Sequence, residues 1–88
     1  MNKYIVEFLG TFFLTYIFFA TNNWIAVGAA LAIAVLLGGQ ISGGPFNPAV
    51  SIALFVSGKI PICDLFPYIT SEIAGALAGY ELFKYLGK

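Results

Sequence analysis

Eighty-eight residues, 60% of them hydrophobic and only 9% charged, give too little charge to cover the surface of a soluble domain. Four lysines balance four acids, so the chain has no basic footprint for nucleic acid. The single cysteine, Cys63, excludes an intrachain disulfide, and the lack of histidine excludes a His/Cys metal site or a His-based catalytic triad. The composition is that of an all-α integral membrane protein whose first partner is the lipid bilayer, with no enzymatic centre and no cofactor.

The first predicted span covers about residues 4–20, rich in Phe, Leu, Ile and Tyr. Roughly 17 residues is the short end for a membrane-crossing helix. It reads as a retained span rather than a signal peptide, because Glu7 interrupts the apolar run and Ala20-Thr21-Asn22 is a poor cleavage site. An acid within a span usually faces the bundle interior and finds a partner, but Glu7 lies only one turn in, where an acid can also reach the interface. Thr21-Asn22-Asn23 forms a tight turn and Trp24 an interfacial anchor. The second span runs over about residues 24–38, and its glycines and alanines let neighbouring helices approach closely. Gly38-Gly39-Gln40 is expected to end it.

A re-entrant loop and half-helix are then expected over about residues 41–57, beginning Ile41-Ser42-Gly43-Gly44-Pro45-Phe46-Asn47-Pro48-Ala49-Val50-Ser51. Asn47 is a preferred helix cap and Pro48 is tolerated at the first helical position. The helix from Pro48 to about Val56 would be roughly 14 Å long, about half of a ~30 Å hydrocarbon core. An isolated Asn-Pro reads as an ordinary cap in a surface loop. This one lies in a stretch from Phe8 to Gly58 that holds no Asp, Glu, Lys or Arg. Irregular backbone at membrane depth persists only where it is buried in protein or lines a watery cavity. The loop carbonyls of Gly43, Gly44, Pro45 and Phe46, with the N-terminus of the half-helix, are therefore expected to face a pathway.

Lys59-Ile60-Pro61 makes a polar connector, and Asp64 is expected to cap the last helix with Pro67 in its first turn. The third span covers about residues 65–85, with Gly75 and Gly79 forming a small-xxx-small packing face. Glu72 is a second acid within a span, either a satisfied or protonated carboxyl at a helix interface or a group for proton-linked function. The whole chain, 1–88, is thus one domain of three spans and one re-entrant half-helix.

Ser-Gly-Gly-x-Phe-Asn-Pro-Ala-Val-Ser resembles the first Asn-Pro-Ala box of the major intrinsic protein family, the aquaporins and glycerol channels. That family is built from two inverted repeats, and the chain resembles one repeat over essentially its whole length. The resemblance implies a passive channel for water or small uncharged solutes, with Asn47, Pro48 and Ala49 as the pore motif. It implies that Glu7, in the context Glu7-Phe8-Leu9-Gly10-Thr11, accepts bonds from the half-helix loop and holds its shape. Glu72 stands where the family usually has Gln. Val50 occupies the place that an Arg takes after the family's second box, and Val27 falls where the filter usually has an aromatic. Pro45 replaces a commonly seen His. These departures imply a wider, more apolar opening, walled by residues such as Val27, Ile33 and Val50.

Tracing the spans puts Lys3 and Lys59 on one face of the membrane and Lys84 and Lys88 on the other, two against two. Orientation follows the Lys/Arg asymmetry of short flanking segments, so the chain carries no strong topological instruction. Insertion in both orientations and pairing as an antiparallel homodimer are expected, open to a larger oligomer, with two copies of Asn47 meeting near the bilayer centre. Two other readings stand beside this one. The first is a dual-topology, proton-coupled exporter resembling the small multidrug resistance proteins, which carry a first-span Glu but four spans and no Asn-Pro-Ala box. The second is a non-conducting half that needs a different partner.

Overall fold

The computed structural model describes residues 1–87 and is all helical: α1 (Lys3–Thr21), α2 (Trp24–Ser42), α3 (Pro48–Val56) and α4 (Ile62–Leu86). Lys88, counted in the charge balance above, lies outside the described residues. Local chemistry sets most of the helix ends. The Asn2 side chain accepts from the backbone N–H of Tyr4 and Ile5 to start α1. At the α1–α2 turn two asparagines divide the work. Asn22 adopts the left-handed conformation that closes α1, and Asn23 caps α2 through the N–H groups of Ile25 and Ala26.

Helix α2 runs four residues further than expected, to Ser42. Gly38 and Gly39 do not end it. Gly38 lies inside the helix, where Val6 and the Phe46 ring sit so close that no side chain would fit. The stop is Gly43, whose φ of 88° lets its N–H reach back to the Gly39 carbonyl at 2.8 Å. Ile41 and Ser42 therefore belong to the helix, and the loop proper is Gly43–Asn47. Helix α3 has the expected bounds, with Gly58 at φ 82° just beyond it.

Helix α4 begins at Ile62, and Asp64 does not cap it; Pro61 holds the cap position without a side-chain bond. Asp64 instead accepts from Lys3 Nζ and from the Tyr4 hydroxyl, each at 2.7 Å. The Lys3 hydrogen bond, followed by that of Tyr4, holds the Asp64 carboxyl below the usual carboxylate range. A first-turn acid attracted to a cation on a neighbouring helix thus becomes a tether rather than a cap.

Helix α1 is the centre of the packing, with α4 along one side and α2 along the other, while α3 rests on α4. The α1–α4 pairings climb together: Lys3 meets Asp64, Tyr4 meets Tyr68, Gly75 abuts the Phe8 carbonyl, and Phe19 meets Phe83. The two helices consequently run parallel. Among the described residues two helices, α1 and α2, are long and apolar enough to cross a membrane. The burial pattern inverts that of a soluble domain. Trp24, Leu37 and Val56 are 82%, 73% and 77% exposed, whereas Glu7, Thr11, Ser42, Ser51, Asp64 and Glu72 are buried.

Candidate functional site

The chain gathers its buried polar groups around the Gly43–Asn47 loop. Gly43 and Gly44 both have positive φ, and Phe46 follows at φ 48°, an unusual angle for a non-glycine residue. Two contacts hold Phe46 in this conformation. Its N–H donates to Glu7 Oε1 at 2.8 Å, and its ring, 2% exposed, fills a slot between Gly10 and Gly38. A Cβ on Gly10 would collide with the ring edge.

Glu7 is wholly buried and spends both carboxyl oxygens on this region. Oε1 takes the Phe46 N–H, and Oε2 takes the Ser42 hydroxyl at 2.5 Å. Ser42 also accepts from the Gly44 N–H at 3.2 Å through its hydroxyl, and its carbonyl receives the Tyr68 hydroxyl at 2.7 Å. The loop is therefore fixed from α1 by Glu7 and from α4 by Tyr68. One helix turn into α3, Ser51 donates to Glu72 Oε2 at 2.7 Å, which joins α3 to α4 at a fully buried point.

Asn47 has an extended backbone, and its Oδ1 accepts from the Ala49 N–H at 2.8 Å. With the oxygen turned inward as a cap, the side-chain NH2 is the end left to face outward, and Asn47 is exposed. Ala49 and Val50 beside it are exposed as well, and Pro48 is half-buried. The outcome is an exposed amide at the start of a nine-residue helix, backed by a rigid buried network.

Most of the residues singled out from sequence meet here: Glu7, Gly43 to Phe46, and Asn47 to Val50. Gly75 and Gly79 lie on the seam behind them, against the Phe8 and Phe12 carbonyls of α1. Val27 does not join them. It lies near the other end of α2, on a recess shared with Phe18, Asn22 and Trp24. The sequence reading overlooked Ser42, Ser51 and Tyr68. Ser51 is a lone hydroxyl in an apolar helical stretch, and that isolation was an available signal; Ser42 and Tyr68 lie close to other polar side chains and carried none. Among the described residues, no group of three His, Cys, Asp or Glu side chains comes together to hold a metal.

The Major intrinsic protein family model matches residues 22–88. The chain is 40% identical to glycerol uptake facilitator protein-like 6 of Lactiplantibacillus plantarum, over 96% of this chain and 43% of that protein. It is 38% identical to aquaporin Z of Brucella melitensis, over 89% of this chain and 41% of the relative. With aquaglyceroporin AqpS of Rhizobium meliloti it shares 43% identity over 68% of this chain and 26% of the relative. The chain thus spans less than half the length of these curated relatives. No solved structure matches it. Family model and relatives agree with the loop residues: the chain belongs to the major intrinsic protein family and is an integral membrane protein.

Proposed function

We propose that the chain forms one half of a passive membrane pore for water or small uncharged solutes, and that two antiparallel copies make the whole. In this reading α1, α2 and α4 cross the bilayer and α3 is a re-entrant half-helix. The observation that carries it is Asn47: an exposed amide at the N-terminus of a helix nine residues long, on a loop fixed by buried hydrogen bonds. At roughly 14 Å the helix is too short to span, so its start falls near the middle of a ~30 Å core. The names of the relatives, an aquaporin and a glycerol uptake facilitator among them, support the solute class.

The mechanism follows from dipoles and hydrogen bonds. Each α3 N-terminus carries about +0.5 charge, and two of them aimed at the centre disfavour a cation there. The Asn47 NH2 donates to a passing oxygen, and the carbonyls from Gly43 to Phe46 accept from its hydrogens. Val50 and Val27 form apolar wall on either side, with no arginine to narrow the passage. Small neutral solutes are therefore expected to pass along with water. Solute-flux measurements on the purified chain in liposomes test this; strict water selectivity would contradict the wide apolar opening.

Pairing has its own test. Reporter fusions after the last residue are expected on both sides of the membrane, because the flanking lysines balance two against two. A reporter found on one side only would contradict the antiparallel pair. It would direct attention to a second, different half, a possibility supported by the relatives being more than twice as long.

A further inference from the structure

Behind the loop lie two acids that a passive pore does not use as charges. Glu7 on α1 and Glu72 on α4 are both 0% exposed. Neither has a cation: among the described residues the lysine ion pairs are Lys3 with Asp64 and Lys84 with Glu81. Their neighbours on the α1–α4 seam meet, Tyr4 with Tyr68 and the Phe8 carbonyl with Gly75, which sets the two acids side by side. Glu7 already accepts at both oxygens, and Glu72 accepts the Ser51 hydroxyl at Oε2. Glu72 Oε1 alone receives nothing, although it is buried.

Two adjoining buried carboxylates with no counter-charge are a costly arrangement, and a buried acceptor without a donor adds to the cost. One proton removes both problems. Placed on Glu72 Oε1, it turns the unpartnered oxygen into a donor and removes one of the two neighbouring charges. We propose that Glu7 and Glu72 hold a single shared proton, and that this proton locks the Phe46–Asn47 turn between α1 and α4, making the loop a pH-sensitive element. Glu72 is then a positioning residue, acting on the loop through Glu7 and through Ser51.

The groups facing the pair support one proton rather than two or none. On α1 the Lys3 ammonium and the Tyr4 hydroxyl are both committed to Asp64. From α3 comes Ser51, and α2 carries no charged residue. On α4 the Tyr68 hydroxyl is committed to the Ser42 carbonyl. Glu7 must stay an acceptor to serve the Phe46 N–H and the Ser42 hydroxyl, so the proton belongs on the Glu72 side. Base withdraws it, leaving two carboxylates that repel across the loop. The reaction is a simple acid–base step with no other reactant.

Infrared spectroscopy of the purified chain in lipid bilayers tests this without reference to conduction. The wild type is expected to show a protonated-carboxyl stretch at neutral pH, shifted in D2O and lost on alkaline titration. Asp64→Asn should keep that band, and Glu72→Gln should lack it while still folding, since Gln supplies a fixed neutral donor in the same place. Hydrogen exchange at the Phe46 amide gives a second readout. Wild type and Glu72→Gln should match at neutral pH, and in alkali the wild type should exchange about tenfold faster than the variant as the loop opens. A neutral-pH spectrum without the band, a band that survives in Glu72→Gln, or exchange that stays equal in the two chains at every pH would overturn the proposal.

Discussion

At the scale of single residues, the loop is a conformation that its own sequence does not favour. Phe46 sits in the left-handed region because Glu7 takes its N–H and two glycines make room for its ring. Glu7→Ala would leave that buried N–H without an acceptor, a cost of about 1–3 kcal/mol, read as a lower midpoint of thermal unfolding in lipid or detergent. Gly10→Ala should cost a similar amount, about 1–3 kcal/mol, because the added carbon strikes the Phe46 ring. An unchanged midpoint for both variants would mean that the loop is held by something else. Asp64 makes a prediction about pH. Its carboxyl is held low by the Lys3 and Tyr4 hydrogen bonds, so its contribution is present above the ordinary carboxylate range, near pH 4, and is lost as pH falls through its lowered value. Thermal unfolding of the wild type should weaken along that acid limb, and Asp64→Asn should be less stable near neutrality and flatter below it. The acids and the Asn-Pro pair were visible in the sequence as breaks in an apolar run. Their partners Ser42, Ser51 and Tyr68 were not, because a hydroxyl in a helix gives no sign of which neighbour it will meet.

At the scale of helices, spacing and capping chemistry made four elements legible, including the short α3 with its Asn-Pro start and glycine close. The two misjudged ends have one cause. Gly38-Gly39 was expected to stop α2 and Asp64 to cap α4, but tertiary contacts override both local preferences. Gly38 is needed for close packing under Val6 and Phe46, and Asp64 is drawn to Lys3. Propensity describes a helix alone, and these residues are placed by their neighbours. The α1–α4 seam offers a direct test. Gly75 and Gly79 face the Phe8 and Phe12 carbonyls with no room for a side chain, so Gly75→Val should part the helices and sharply lower the yield of folded chain. Gly28→Ala is the matched control, since a carbon added there meets nothing, and it should leave thermal stability unchanged or slightly raised. Equal behaviour of the two variants would argue against close α1–α4 packing as the frame that carries the loop.

At the scale of the whole molecule, the chain turns apolar side chains outward and keeps its polar network inside, as a bilayer requires. Exposed beside that network lie Asn47, Ala49 and Val50, the surface that the proposed second copy would face. Membrane class was legible from composition, and family from the loop residues. Antiparallel pairing was read only from the balance of flanking lysines, because an interface between copies leaves no periodic mark within one chain, and it stands as a proposal. Osmotic shrinkage of liposomes containing the purified chain, followed by light scattering beside Asn47→Asp, tests the central claim most directly. Fast shrinkage with a low activation energy, altered by the substitution, is the expected result, because the proposed pore of identical halves would have the amide at its narrow centre. Shrinkage no faster than that of empty liposomes, with insertion confirmed, would contradict the claim that two copies of this chain conduct.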